Sequence, residues 1–106
     1  MSLSGWTIRE LSDALAKGEA SSVDVTQSYL NEIKSRGPQL NAVLSVLEDA
    51  AESAARASDE RRARGETVGV LDGVPIALKD NMCLEGSRTT AASRLLEEYR
   101  APYTAT

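Results

Sequence analysis

Lys79 is the residue whose position in the sequence most strongly suggests catalytic chemistry. It follows Val74, Ile76 and Leu78, which alternate along one face of a predicted strand. A lysine at the end of a buried strand is partly desolvated, and desolvation disfavours the ammonium form. A neutral lysine can act as a general base, as it does in Ser-Lys hydrolases. The alternative is a lysine that reaches solvent from the strand end, with Asp80 as a nearby counter-charge.

The other nucleophiles and charged groups give weaker signals. The chain has no histidine and one cysteine, which excludes a Ser-His-Asp triad, a Cys-His pair and a histidine metal centre built from this chain alone. Cys83 is therefore expected to be a free thiol without a histidine base. Arg88 and Arg94 could bind an anion, although surface positions are the simpler interpretation. The acidic pairs Asp59-Glu60 and Glu97-Glu98 fall on predicted helices and are expected to be solvated.

The elements that precede the lysine begin with a predicted helical hairpin over residues 1–37. Residues 7–10 have the spacing of a capping box, and Gly18 is a plausible end for the first helix. A second helix is predicted to start at Ser21 or Ser22 and to end at Gly37-Pro38. This hairpin and the following segment form the N-terminal part of the predicted fold.

Residues 38–106 are predicted to begin an α/β core. We expect a short strand at 43–47, an alanine-rich helix at 48–64 and a strand at 74–79 that carries Lys79. A short helix capped by Thr89 or Thr90 should follow and run through Leu96. The predicted fold class is therefore α/β with an incomplete mixed sheet.

Composition limits the function classes further. Twelve basic and 16 acidic residues give a net charge of −4, so direct nucleic-acid binding by this chain is not expected. No stretch approaches the ~20 apolar residues that a membrane span needs, and the first ten residues do not resemble a signal peptide. These features predict a single cytoplasmic domain without a metal site or a membrane association.

The segment around the lysine resembles a known family. Residues 73–81, Gly-Val-Pro-Ile-Ala-Leu-Lys-Asp-Asn, are similar to the G-[IV]-P-[IV]-x-[IVL]-K-D-N segment of the amidase signature enzymes. The Thr89-Thr90 pair and Pro102-Tyr103 are similar to the stretch that follows it, and the helices fit as well. The chain resembles the N-terminal portion of this family's domain, with the A subunits of tRNA-dependent amidotransferases, which act on glutamyl-tRNA(Gln) or aspartyl-tRNA(Asn), as the most similar subfamily.

The resemblance implies a mechanism and a set of partners. Enzymes of this family hydrolyse amides with a Ser–cis-Ser–Lys triad, and the lysine of the motif falls on Lys79, which would be the general base. In the amidotransferases, the A subunit releases ammonia from glutamine. Partner B and C subunits complete the complex, and ATP with Mg²⁺ on a partner activates the misacylated tRNA. No cofactor is implied for this chain itself.

The same resemblance places the segment that carries both serines and the oxyanion donors downstream of the residues present here. A base without a nucleophile cannot run the reaction, so the chain alone is expected to be inactive. A strand at 74–79 without neighbours would leave an exposed sheet edge, which predicts self-association or a very marginal fold. Two alternatives stay open: an amidase of this family that acts on small amides, and a non-catalytic α/β interaction module.

Overall fold

A computed structural model describes residues 5–106 of the chain. It contains three α-helices, α1 (Ile8–Lys17), α2 (Ser22–Leu40) and α3 (Glu48–Ala63), followed by one short 3₁₀ helix, Arg94–Leu96. Two compact units are distinguished: the first extends to Pro75, and the second is Ile76–Thr106. The three α-helices belong to the first unit. Within the described residues, no helix is long and apolar enough to cross a membrane.

Helix α1 begins and ends where its local sequence predicts. The Thr7 side chain accepts a hydrogen bond from the Glu10 amide at 3.1 Å, and the Glu10 carboxylate accepts one from the Thr7 amide at 2.9 Å. This capping box satisfies two amides that the helix start leaves without partners. Gly18 ends the helix with a φ of 75°, a left-handed conformation that glycine adopts without steric cost.

Helix α2 confirms its predicted start but not its predicted end. Ser21 is the N-cap, with its hydroxyl accepting from the Asp24 amide at 3.0 Å. The helix continues through Gly37-Pro38 to Leu40, so the prediction that these residues end it is wrong. Pro38 has no N–H and cannot donate a helical hydrogen bond. The cost of this loss is limited because the helix ends two residues later, at Leu40. Asn41 then closes the helix in the left-handed region.

A small apolar core joins α1 to α2. Leu11, Leu15 and Val25 are almost completely buried, and Ala20, Tyr29 and Val74 pack against them. Burying such side chains stabilises a fold by about 1.5–3 kcal/mol each, because apolar surface is removed from water. The core explains why a hairpin with so few aromatic residues holds together.

Helix α3 confirms the predicted alanine-rich helix and packs against α2. Its Asp59 carboxylate accepts hydrogen bonds from the Ser22 amide at 2.7 Å and the Val23 amide at 3.1 Å, both in the first turn of α2. The expectation that Asp59 is solvated is therefore wrong. A carboxylate at this place satisfies free amides and complements the positive end of the helix dipole.

The two predicted strands are not formed within the described residues. Residues 43–47 and 74–79 have irregular backbone without ladder hydrogen bonds. A strand exists only when a neighbouring strand pairs with it, and alternation of apolar residues alone supplies no such neighbour. The one β-bridge among residues 5–106 joins Arg88 to Arg100 in antiparallel orientation.

The helix predicted after Thr89 or Thr90 is shorter and starts later. Ser93 is the N-cap of the 3₁₀ helix Arg94–Leu96, with its hydroxyl accepting from the Leu95 amide at 3.2 Å. Ala91 and Ala92 have positive φ values of 49° and 61°, which are incompatible with a right-handed helix. An α-helix therefore cannot extend back to either threonine.

Candidate functional site

Lys79 lies near the start of the second unit and is exposed to solvent. Ile76 and Leu78, which were expected to be buried on a strand face, have exposed fractions of 79% and 47%. The Lys79 carbonyl accepts a hydrogen bond from the Met82 amide at 3.0 Å, which turns the chain after the lysine. Its ammonium forms no hydrogen bond or ion pair with the residues that the structure describes. The desolvated environment inferred from the sequence is thus not present around this amine.

Asp80 is bound to the Thr89-Thr90 segment rather than to the neighbouring lysine. Its carboxylate accepts a hydrogen bond from the Thr90 amide at 3.0 Å and another from the Thr90 hydroxyl. Its carbonyl accepts from the Ala91 amide at 3.0 Å. The hydrogen bonds from Thr90 hold the pKa of the Asp80 carboxyl below its ordinary value, because they stabilise the ionised form. The residue after Lys79 is therefore fixed to the second part of the sequence motif.

Thr89 takes part in the backbone hydrogen bonds that join residues 86–89 to residues 99–101 in this unit. It is buried, and its amide donates to the Tyr99 carbonyl at 3.2 Å. Ala101, the other buried residue of the unit, donates its amide to the Ser87 carbonyl at 2.9 Å, and its carbonyl accepts from the Gly86 amide at 2.8 Å. The Thr-Thr pair of the sequence motif thus has two structural roles: the Thr89 amide joins residues 86–89 to residues 99–101, and Thr90 binds Asp80.

Cys83 is a half-buried free thiol, as the sequence predicts. A hydrogen bond with Cys83 raises the pKa of Tyr103 above its ordinary value. The Cys83 carbonyl also accepts from the Ala105 amide at 2.8 Å, so residues 103–105 return to this loop. These contacts are consistent with a structural thiol and not with an activated nucleophile, which needs a base.

The two arginines that the sequence suggested as anion ligands are not paired with each other by the fold. Arg88 lies opposite Arg100 across the β-bridge, whereas Arg94 opens the 3₁₀ helix. All three side chains are exposed. The pairing of Arg88 with Arg100 was missed in the sequence because they lie twelve positions apart and nothing in the local pattern links them.

A polar cluster in the first unit was also missed. The Asp72 side chain, 3% exposed, accepts from Arg61 at 2.7 and 3.1 Å and from the Ser58 hydroxyl at 2.8 Å. These bonds, led by that from Arg61, hold the pKa of Asp72 well below its usual range. The only sequence signal was the Asp72-Gly73 turn, which the structure confirms. Arg61 and Ser58 lie on α3, and the Val68 amide also donates to the Asp72 carboxylate at 3.2 Å.

This cluster fixes the backbone just before the apolar run that leads to the lysine. Arg62 donates to the Asp72 carbonyl at 2.9 Å, and the Ser22 hydroxyl donates to the Gly73 carbonyl at 2.8 Å. Gly73 has a φ of 97°, and a Cβ built there would lie 2.9 Å from the Ser58 Oγ. Only glycine meets both constraints without strain, because it has no side chain.

A cavity of about 440 Å³ in the first unit lies beside the C-terminal half of α2. It is lined by residues that include Tyr29, Ile33, Leu40 and Val43. It contains none of the sequence-predicted site residues. No group of three or more His, Cys, Asp or Glu in the described part of the chain has the arrangement to hold a metal ion.

The chain matches one protein family over most of its length. The family model described as Amidase matches residues 24–106. Two curated relatives are A subunits of glutamyl-tRNA(Gln) amidotransferase, from Chloroflexus aurantiacus at 46% identity and from Thioalkalivibrio sulfidiphilus at 49%, each over 100 residues. Both alignments cover 94% of this chain and 20% of the relative, so the chain spans about one fifth of the length of these relatives.

Two solved structures are similar over nearly the whole chain. The structure of a vestigial protein complex that bears on the origins of an s-triazine catabolic enzyme has a TM-score of 0.88 and 32% identity, and covers 93% of this chain and 22% of its own. The peptide amidase PAM, in complex with the competitive inhibitor chymostatin, has a TM-score of 0.87 and 31% identity. The match covers 96% of this chain and 21% of the peptide amidase chain.

Proposed function

Because the chain belongs to the amidase family, we propose that it supplies the catalytic lysine of an amide-hydrolysing enzyme, with Lys79 in that role. The match of the family model over residues 24–106, which include the whole lysine motif, is the observation that carries the proposal. The expected fold is confirmed: the chain is part of the amidase signature fold, since similar solved structures cover 93–96% of it.

The enzyme we propose is a tRNA-dependent amidotransferase, of which this chain forms part of the A subunit. Identities of 46–49% to A subunits of glutamyl-tRNA(Gln) amidotransferase support this choice over the 31% to a peptide amidase. In this proposal the A subunit releases ammonia from glutamine in a cytoplasmic complex with B and C subunits. ATP and Mg²⁺ bind to a partner, where they serve the activation of the misacylated tRNA.

The chemistry proposed for Lys79 is proton transfer within a Ser–cis-Ser–Lys triad. The lysine amine accepts a proton from the bridging serine, which in turn accepts one from the nucleophilic serine. In the present structure the Lys79 ammonium is exposed and contacts no hydroxyl among the described residues. The amine can act as a base only where surrounding residues desolvate it, since burial disfavours the charged form. We therefore propose that the chain by itself does not hydrolyse glutamine.

A chimera tests the role of Lys79. Residues of this chain replace the matching 100 residues of the Thioalkalivibrio sulfidiphilus relative, to which they are 49% identical. Ammonia release from glutamine is measured for the chimera and for its K79A and K79R variants. We expect the chimera to be active and both variants to lose about 10²–10⁴-fold in kcat, the range that general acid–base catalysis contributes.

Lys17→Ala is the matched control, because Lys17 is also an exposed lysine and lies in the last turn of α1. Its activity should equal that of the chimera. A K79A chimera that retains full activity would exclude Lys79 as the base. Ammonia release by the isolated 106-residue chain, lost in K79A, would instead show that this chain is active alone.

A second candidate, an amidase acting on small amides, is favoured by the structural similarity to the peptide amidase. The two proposals differ in substrate and not in the role of Lys79. If the chimera approach is repeated in the peptide amidase and only that chimera is active, this candidate is preferred.

A further inference from the structure

We propose that Arg88 and Arg100 together bind a phosphate group of a small molecule. The two residues face each other across the antiparallel bridge, and both side chains are exposed. The proposal concerns the surface of the second unit and does not depend on amide hydrolysis.

The register of the bridge brings the two side chains close together. Thr89 donates its amide to the Tyr99 carbonyl, and Ala101 donates its amide to the Ser87 carbonyl, at 3.2 and 2.9 Å. These two bonds flank Arg88 and Arg100, which therefore form a non-hydrogen-bonded pair. The Cα atoms of such pairs are about 4.5 Å apart, and their side chains project from the same face.

Two like charges in this arrangement repel each other. Like charges directly opposite in a sheet are destabilising, whereas opposite charges in such a pair are stabilising. Within residues 5–106, neither arginine has a carboxylate within the 4.0 Å of an ion pair. Glu98, two positions before Arg100 in the sequence, forms no ion pair with any residue that the structure describes. An external anion would relieve the repulsion.

The donors that remain free fit phosphate better than a carboxylate. One Nη atom of Arg100 donates to the Gly86 carbonyl at 3.0 Å, which orients its guanidinium and leaves its other N–H groups available. The Arg88 side chain has no partner in the described part of the chain. A carboxylate offers a guanidinium one edge of two oxygens for a bidentate contact, whereas the additional terminal oxygen of a phosphate lets two guanidinium groups bind on different edges at once.

The charge balance favours a small phosphate compound over a nucleic acid. Residues 76–106 contain four basic and four acidic residues, and the whole chain has a net charge of −4. Nucleic-acid binding needs several clustered cations, because each phosphate contact contributes a small, salt-dependent increment. One arginine pair in a neutral surrounding provides a site for one phosphate group.

The experiment is a titration of the 106-residue chain with inorganic phosphate at constant ionic strength, followed by the NMR signals of the arginine Nε–Hε groups. We expect the signals of Arg88 and Arg100 to shift together, with a Kd on the order of 1 mM. Variants R88Q and R100Q should each weaken binding about tenfold, because each removes charge-assisted hydrogen bonds. Arg94→Gln is the matched control and should bind phosphate as the unchanged chain does.

Thermal unfolding provides an independent measurement. In low-salt buffer without phosphate, R88Q should have a higher unfolding midpoint than the unchanged chain, because it removes the repulsion. Added phosphate should raise the midpoint of the unchanged chain more than that of R88Q, since a ligand of the folded state stabilises it in proportion to its occupancy. Protection of the Thr89 and Ala101 amides from exchange verifies that the bridge persists in the variant.

Several results would overturn the proposal. Absence of shifts at Arg88 and Arg100 would remove the site, and equal weakening by R94Q would show non-specific attraction. Acetate binding as tightly as phosphate would reject phosphate as the ligand class. Binding of RNA without binding of inorganic phosphate would reject the small-molecule assignment.

Discussion

The unit that ends at Pro75 and the unit Ile76–Thr106 become ordered by different means. The first combines helices with an apolar core of Leu11, Leu15 and Val25. The second has one β-bridge and one 3₁₀ helix, and only Thr89 and Ala101 are buried among its residues, all of which the structure describes. Hydrogen bonds, rather than apolar burial, define its path.

The comparison shows that carboxylates have analogous roles in both units. Asp72 in the first and Asp80 in the second each bind a segment distant in sequence, and the pKa of each is held below its ordinary value by those bonds. The difference lies in what surrounds them: the side chain of Asp72 is nearly inaccessible, whereas Asp80 is only half-buried. A buried polar interaction is stronger because solvent does not compete for it. The first unit should therefore be the more resistant to unfolding.

Leu15→Ala is the variant from which we expect the largest change in the free energy of unfolding. Removing a fully buried leucine side chain leaves a cavity and should lower the free energy of unfolding by about 3 kcal/mol, as measured by urea denaturation. Leu44→Ala is the control, because Leu44 is 73% exposed in the same unit, and it should change stability by less than ~0.5 kcal/mol. Equal effects of the two variants would contradict the core described above.

Gly73→Ala should have the next largest effect. The substitution forces a Cβ to within 2.9 Å of the Ser58 Oγ at a φ of 97°, so we expect a loss of about 2 kcal/mol. Gly69→Ala serves as the control, since nothing lies within 4 Å of a Cβ at that position and its φ is not in the left-handed region. Thermal unfolding of both variants, compared with the unchanged chain, measures the difference. A neutral Gly73→Ala would show that the turn can relax.

Asp72→Asn should have a smaller effect at neutral pH, about 1 kcal/mol, because asparagine keeps one acceptor but loses the charge. The pH dependence is more informative. Since the folded-state pKa of Asp72 is lowered, its stabilising contribution is complete above its unfolded pKa of about 3.9 and is lost as the pH falls below that value.

Urea denaturation between about pH 7 and about pH 3 measures this contribution. The unchanged chain should lose more stability on acidification than Asp72→Asn does. Asp13→Asn, at an exposed position on α1, should follow the unchanged chain. Identical acid sensitivity of the chain and of Asp72→Asn would mean that other carboxylates determine it.

The smallest effect on global stability is expected from Asp80→Ala in the second unit. The variant removes both side-chain acceptors of Thr90, so the Thr90 amide should exchange with solvent faster while the amides of α2 are unaffected. Asp80→Asn keeps one acceptor, so its exchange rate at the Thr90 amide should lie between those of the unchanged chain and of Asp80→Ala. Glu97→Gln, at an exposed position of the same unit, is the control for charge. Unchanged exchange at Thr90 would show that the Asp80 contact does not order this segment.

Local sequence signals predicted the start of each α-helix and most of the turns. The capping box at Thr7, the N-cap at Ser21 and the glycine end at Gly18 are contacts between residues at most four apart, so the sequence alone contains all of their partners. The lysine motif at 73–81 likewise predicted the family correctly, because a resemblance requires no knowledge of contacts.

The sequence predicted a single site residue, Lys79, with Asp80 as a possible counter-charge. The structure instead joins Asp80 to Thr90 by hydrogen bonds. The surroundings of Lys79 could not be obtained from its sequence neighbours, since alternating apolar residues predict a buried strand only if another strand and a covering layer exist. Its catalytic role remains a proposal.

The sequence by itself determined the starts of the α-helices, the local N-caps of α1 and α2 and the family, because these depend on short-range hydrogen bonds and on residue identity. Only the tertiary structure decided that Asp59 caps α2, that Asp72 binds Arg61 and that Arg88 faces Arg100. Each of these contacts joins residues eleven or more positions apart. Their formation depends on how the chain closes its loops, and no local preference for helix or turn specifies that closure.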